Sequence, residues 1–184
     1  MRRLTIRAAA AALLALSLSG CIDSSGPILQ DAQPLFGENL RLQFYTLSKG
    51  FADEPEQATF KWDGARYLHV SGGMTDVAAF TAHRLQAGAY VIQSEAAKRP
   101  RIYEYAVAQK LTDGVFQAIA IDEDDAAAPT RAAYCKRVDE SHCRIETRRQ
   151  LFAFARATAA RRKGEGGLVL RLADSVPEPP RQGN

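Results

Sequence analysis

Between Phe60 and Ile121 the chain repeats one rhythm, a short run of alternating apolar and polar residues followed by a turn built on glycine. Successive side chains of a strand point to opposite faces, so a half-buried strand has a period of two. Phe60-Lys61-Trp62 leads into Asp63-Gly64, a dipeptide whose residues tolerate the positive φ of a tight hairpin. Tyr67 to Val70 returns, Gly72-Gly73 breaks the run, and Val77 to Arg84 resumes it. Leu85-Gln86-Ala87-Gly88 then turns the chain into Ala89 to Gln93. After a polar loop, Ile102 to Lys110 alternates with Tyr103, Tyr105 and Val107 on one face and Glu104 on the other. Leu111-Thr112-Asp113-Gly114 turns this run into Val115 to Ile121. Leu40, Leu42 and Phe44, alternating with Arg41 and Gln43, predict an earlier strand, and Leu168 to Leu172 a last one. Such punctuation specifies antiparallel hairpins. The likeness of Leu85-x-x-Gly88-x-Tyr90 to Leu111-x-x-Gly114-x-Phe116, with Gly64 opening a third such strand, needs no duplication. Turns require glycine and strands favour aromatics.

A single helix is clear in the pattern. Thr147-Arg148-Arg149-Gln150 has capping-box spacing, and Leu151, Phe154, Ala155, Thr158 and Ala159 form one apolar stripe. Arg161, Arg162 and Lys163 suit the negative end of its dipole, with contact to anionic lipid headgroups as the rival use. Gly164 or Gly166 can stop it, and a shorter helical turn is expected around Thr130 to Tyr134. These elements predict an α+β fold, mainly an antiparallel β meander of hairpins with one C-terminal helix packed on the sheet. It occupies a single globular domain over 39–173, and the Pro-rich tail 174–184 reads as disordered.

The first 20 residues have a different character. Arg2, Arg3 and Arg7 precede an apolar run, Ala8 to Leu18, and small residues then lead to Cys21. That order is an export signal, and the run is shorter than the roughly 20 residues a membrane-spanning helix needs. Leu18-Ser19-Gly20-Cys21 resembles the lipobox of bacterial lipoproteins: an aliphatic residue, two small residues, then cysteine. The resemblance implies cleavage between Gly20 and Cys21 and a diacylglyceryl thioether on Cys21, usually with a third acyl chain on its amine. Two or more chains anchor stably where one does not. Ile22 is not the Asp that retains enterobacterial lipoproteins at the inner membrane, so the resemblance favours the periplasmic face of the outer membrane. Residues 21–38, with Ser24-Ser25-Gly26-Pro27 and Pro34, read as the lipidated N-terminus and a flexible tether.

Charge then loses its apparent sign. Of the 24 Lys plus Arg, three leave with the signal, which leaves 21 against 21 acidic residues. Near-neutrality gives no reason to expect nucleic acid as a partner. With Cys21 modified, Cys135 and Cys143 remain, and two cysteines eight positions apart in an exported chain predict a disulfide. The rival is a metal site of Cys135, His142 and Cys143. Adjacent ligands suit tetrahedral geometry poorly, and no fourth ligand is evident nearby, so no metal is expected. Asp122-Glu123-Asp124-Asp125 lacks the spacing and turn glycine of a calcium loop and reads as a solvated charge run.

Catalysis has little to work with. Ser71 with His83 is the best nucleophile–base pair on offer, yet no nucleophile-elbow motif surrounds Ser71. His69, His83 and His142 read as structural, and neither a cofactor nor an enzymatic activity is expected. The leading expectation is a non-catalytic, lipid-anchored envelope protein presenting its β-rich domain to another envelope component. The alternative is a carrier of a small apolar ligand. Tyr67, Tyr90, Tyr103 and Phe116 lining an open cavity would favour the carrier, and a packed core the interaction domain.

Overall fold

The computed structural model describes residues 22–46, 55–73, 76–98, 101–137, 143–162 and 167–173. Gly20, Cys21, His142, Lys163, Gly164, Gly166 and the tail 174–184 lie outside them.

The described chain begins with a short strand, β1 (Ile22–Ser24), and then winds through β2 (Asn39–Thr46), β3 (Glu56–Trp62), β4 (Tyr67–Gly72), β5 (Val77–Gln86), β6 (Ala89–Ala96), β7 (Tyr103–Thr112) and β8 (Val115–Ala120). A 3₁₀ turn (Glu123–Asp125), helix α1 (Ala128–Tyr134), strands β9 (Lys136–Arg137) and β10 (Cys143–Arg144) and helix α2 (Arg148–Arg161) follow before β11 (Leu168–Leu172). Strands β2 to β8 pair with their sequence neighbours, and β11 fits antiparallel between β8 and β2. Leu170 stands opposite Phe44 on one side and Phe116 on the other. The sheet thus closes into an eight-stranded up-and-down barrel, which leaves no edge along its circumference.

The α+β expectation is therefore overturned. The fold is a mostly-β closed barrel with three extra strands, and its two short α-helices both sit in the segment joining β8 to β11. Alternation and turns reveal strands but not closure. Closure depends on the last strand meeting the first, a pairing about 125 residues apart that no local pattern encodes.

Glycine performs the sharp reversals. Gly64, Gly88 and Gly114 have φ of 103°, 69° and 70°, a region that costs residues with a Cβ dearly. These three turns share one end of the barrel, hereafter the turn end. The seam between β4 and β5 is the shortest in the wall, with only Tyr67↔Phe80 and Leu68↔Ala79 paired.

Two apolar cores lie on either side of the wall. Inside, Leu40, Leu42, Phe44, Ala58, Phe60, Tyr67, Val77 and Phe80 pack together. Outside, Leu85, Val91, Tyr105 and Val107 of β5 to β7 are covered by Leu151, Phe154, Ala155 and Ala159 of α2. The helix follows its sequence signature closely. Thr147 Oγ1 accepts from Gln150 N at 3.3 Å, Gln150 Oε1 accepts from Thr147 N at 2.9 Å, and the whole stripe including Thr158 is buried.

Residues 22–38 do not form the expected tether. Strand β1 pairs antiparallel with β7 where β8 has ended, and parallel with β10. Ile22 is fully buried, and Leu29 joins the outer core. Gln93 fastens this segment: its Oε1 accepts from Ile28 N and Leu29 N, and its Nε2 donates to Leu29 O. Ser24 Oγ and Tyr105 Oη share a hydrogen bond of 2.6 Å. The Ser-Gly-Pro composition of a linker concealed Ile22, Ile28 and Leu29, whose burial outweighs it.

Candidate functional site: the barrel interior

The inward alternation of β7 and β8 delivers Ala106, Ala108, Ala118 and Ala120 to the barrel interior, opposite Phe and Leu side chains of the other strands. Four methyl groups where longer side chains would fit leave a cavity of about 120 Å³. Phe36, Leu42, Phe60, Phe80, Ile92 and Leu170 are among its walls. Its polar lining group, Ser94, donates its hydroxyl to Glu104 O at 3.3 Å and so is already engaged. Apolar voids of about this size stay dry and admit small hydrocarbons.

At the turn end the cavity is stopped by Phe36, whose ring meets Phe116 at 5.5 Å, Tyr90 at 5.6 Å and Tyr67 at 6.4 Å. Tyr67 holds this plug through its hydroxyl, and burial raises its pKa. The other end is bordered by Val77, Ser94, Ala120 and Gly167. A side chain at Gly167 would meet Ala118 O at 2.5 Å, and its φ of 82° excludes one independently.

Of the four aromatics expected to line a cavity, Phe116 lines the barrel interior, and Tyr103 borders a separate pocket on the outer side with Leu29 and Gln93. Tyr67 is packed in the inner core and Tyr90 against Phe36, while Tyr103 packs on the outer core. The residues that make the space are the alanines, and the signal for them was the small-residue alternation at 106, 108, 118 and 120.

Ser71 and His83, the nucleophile–base pair that the sequence offers without a motif to support it, do not come together. Ser71 lies three residues beyond the β4–β5 pair Leu68↔Ala79 in one direction, and His83 four residues in the other. At 3.3 Å per residue that separates them by roughly 20 Å along the strands. Ser71 pairs with Thr59. His69 makes a 2.9 Å hydrogen bond with Gly73 O and packs edge-on against Phe60. His83, buried on the outer wall, makes a 3.3 Å hydrogen bond with Thr81 Oγ1. Burial lowers its pKa below 6.5, the Arg148 charge adds to that, and Asp31 opposes it.

The acidic run is solvated only in part, at Asp124. Glu123 and Asp125 are 5 % and 8 % exposed, and the run clamps the end of α2. Arg162 meets Asp125 Oδ1 at 3.1 Å and Asp122 Oδ2 at 3.2 Å, Arg161 donates to Asp124 O, and Arg131 pairs with Asp124. Arg161 and Arg162, though 63 % and 40 % exposed, are thereby engaged by the acidic run. Their use is the complement of α2's C-terminus by side chains that the acidic run in turn neutralises.

Cys135 and Cys143 form a disulfide, with Cα atoms 5.2 Å apart. Closing so short a loop contributes about 2–3 kcal/mol in the chain-entropy view. Glu123 lies beside it, Oε2 3.2 Å from Cys135 Sγ and Oε1 3.3 Å from Arg137. This carboxylate and the two sulfurs fall within 4.8 Å of one another, the donor that the sequence left unidentified. With both sulfurs bonded to each other and the carboxylate facing Arg137, the trio as it stands offers no thiolate to a metal.

Comparison with protein-family models, with curated proteins and with solved structures gives no match. The fold and site define an up-and-down antiparallel barrel with an apolar interior cavity. No helix among the described residues is long and apolar enough to cross a membrane.

Proposed function

We propose that this chain is a lipid-anchored bacterial envelope protein whose barrel receives a small apolar group in its interior. The single observation that carries the ligand reading is the cavity made by Ala106, Ala108, Ala118 and Ala120, because a barrel built only to be stable would fill that space. Its size fits one ring or the end of an aliphatic chain of about six carbons. Ser94 spends its one hydroxyl hydrogen on Glu104 O and the other lining side chains are apolar, so a polar ligand end is better placed at the end near Val77 and Ala120. The anchor reading is supported by Leu18-Ser19-Gly20-Cys21, and Ile22 favours the outer membrane. A surface offered to another envelope component, the other expectation, has no comparable observation behind it among the described residues.

Titration with octanoate, followed by amide NMR, tests the ligand reading. Shifts concentrated at the amides of Ala106, Ala108, Ala118 and Ala120 are expected. Shifts confined to the outer wall, or none at saturating octanoate, would overturn it. Mass spectrometry of the mature N-terminus tests the anchor separately.

A further inference from the structure

Helix α2 turns its apolar stripe inward and leaves Arg148, Arg149 and Arg156 exposed around Phe152, which is half-buried with one side against the outer core. None of these three arginines has a carboxylate partner among the described residues, in contrast to Arg131, Arg137, Arg144, Arg161 and Arg162. Instead they surround aromatic rings. Arg148 and Arg156 lie 4.9 and 5.8 Å from the centre of the half-buried Phe152 ring, one helical turn to either side, and Arg149 lies 5.8 Å from that of Tyr134. A helix with no acidic residue, and guanidinium groups that face an aromatic and have no carboxylate partner among the described residues, is the composition of a surface that meets anionic headgroups.

The position of the N-terminus gives the second observation. Ile22 is buried in β1 and paired with Cys143, Cys143 is bonded to Cys135, and Cys135 follows Tyr134 under Arg149. Ile145 N donates to Asp23 O at 3.1 Å, two residues before the Thr147 cap. Residue 21 is covalently next to Ile22, within 3.8 Å between Cα atoms. A lipid on Cys21 would therefore be joined directly to β1, whose parallel partner β10 leads on to the Thr147 cap of α2.

We propose that the outward face of α2 lies against anionic phospholipid headgroups, with Phe152 at the interface and Arg148, Arg149 and Arg156 on the phosphates. The domain is then held flush on the bilayer in one orientation rather than suspended from it. This rests on the Cys21 anchor of the proposed function to bring the domain to a membrane.

The test uses the processed full-length protein with two kinds of vesicle, phosphatidylcholine alone or with about one-third phosphatidylglycerol. Flotation reports attachment, and arginine modification by phenylglyoxal, mapped by mass spectrometry, reports contact. With phosphatidylglycerol, labelling of Arg148, Arg149 and Arg156 should fall about fivefold, the ratio for about 1 kcal/mol per arginine near an anionic surface. Arg41 and Arg171, exposed on the opposite wall, should label equally in both. High salt should restore labelling, since charge contacts are screened within a few ångströms. Flotation with both vesicles but unchanged labelling at the three arginines overturns the proposal and leaves the anchor standing. Flotation only with phosphatidylglycerol, with the three protected, supports the face and overturns the anchor; flotation with neither overturns both. Equal protection of Arg41 and Arg171 overturns it, as does protection in native envelope fragments but not in phosphatidylglycerol vesicles, which assigns the face to an acidic protein.

Discussion

The hydroxyl of Tyr67 donates to the carbonyl of Gly37 at 2.9 Å, and the same oxygen accepts from the N–H of Phe36 at 3.0 Å. Its ring is fully buried and stacks on Phe80 at 4.9 Å. One phenol therefore ties the loop before β2 to the start of β4 and keeps Phe36 over the turn end. Tyr67→Phe retains the ring and leaves two backbone groups without their partner, so a loss of about 1–2 kcal/mol is expected. Urea unfolding checks this, with an unchanged midpoint as the contrary result. Octanoate, if the interior binds it, should also leave the variant faster.

The cavity makes an opposite kind of prediction, one in which adding volume costs little. Ala118 faces open space inside the barrel, so Ala118→Leu extends into a void rather than into neighbours. Stability should change by no more than about 1–1.5 kcal/mol, the scale of tolerated apolar exchanges. The octanoate-dependent amide shifts should disappear. Ala133→Leu on the exposed face of α1 serves as the control and should preserve them. Retained shifts in Ala118→Leu would place the bound chain elsewhere.

What the sequence makes visible is what is local. Leu40, Leu42 and Phe44 announce their strand because a two-residue period needs no distant information, and all three face the inner core. Thr147 and Gln150 announce the helix start because a capping box spans three residues. Cys135 and Cys143 follow from counting. Less visible is whatever depends on partners far along the chain. Asp125 reads as solvated until Arg162, 37 residues later, is laid over it. Ile22 reads as tether until β7 supplies an edge for β1. Tyr103 alternates correctly with Tyr105, but the period that puts them on one face cannot say whether that face is inside or outside a closed wall.

The clamp on α2 has an asymmetry that mutation can expose. The side chain of Asp125 is 2 % exposed and that of Arg162 is 40 % exposed, so the two partners lose different amounts when left alone. Asp125 Oδ2 is already buried without a hydrogen-bond partner among the described residues. Removing Arg162 leaves the buried carboxylate with only the longer 3.9 Å contact to Arg161, whereas removing the carboxylate leaves a guanidinium that can turn to water. Arg162→Met should therefore destabilise by about 2–3 kcal/mol, and Asp125→Asn by less, about 1–2 kcal/mol. Denaturant titration of both variants decides it, and the reverse order would mean that water already reaches Asp125.

His83 supplies a pH dependence whose sign is fixed by its surroundings. Burial, reinforced by Arg148 and opposed by Asp31, holds its pKa below the 6.5 of an unfolded histidine. Between the two values the unfolded chain binds more protons than the folded one, so stability rises with pH there. The contribution of neutral His83 is complete above about pH 6.5 and is lost as pH falls through the folded value. Wild-type urea midpoints should decline between about pH 7.5 and about pH 5.5, before most carboxylates titrate. Gln in place of His83 keeps a hydrogen-bonding group near Thr81 but carries no proton to gain. His83→Gln should flatten the decline, and an undiminished slope in that variant would assign the acid sensitivity to another group.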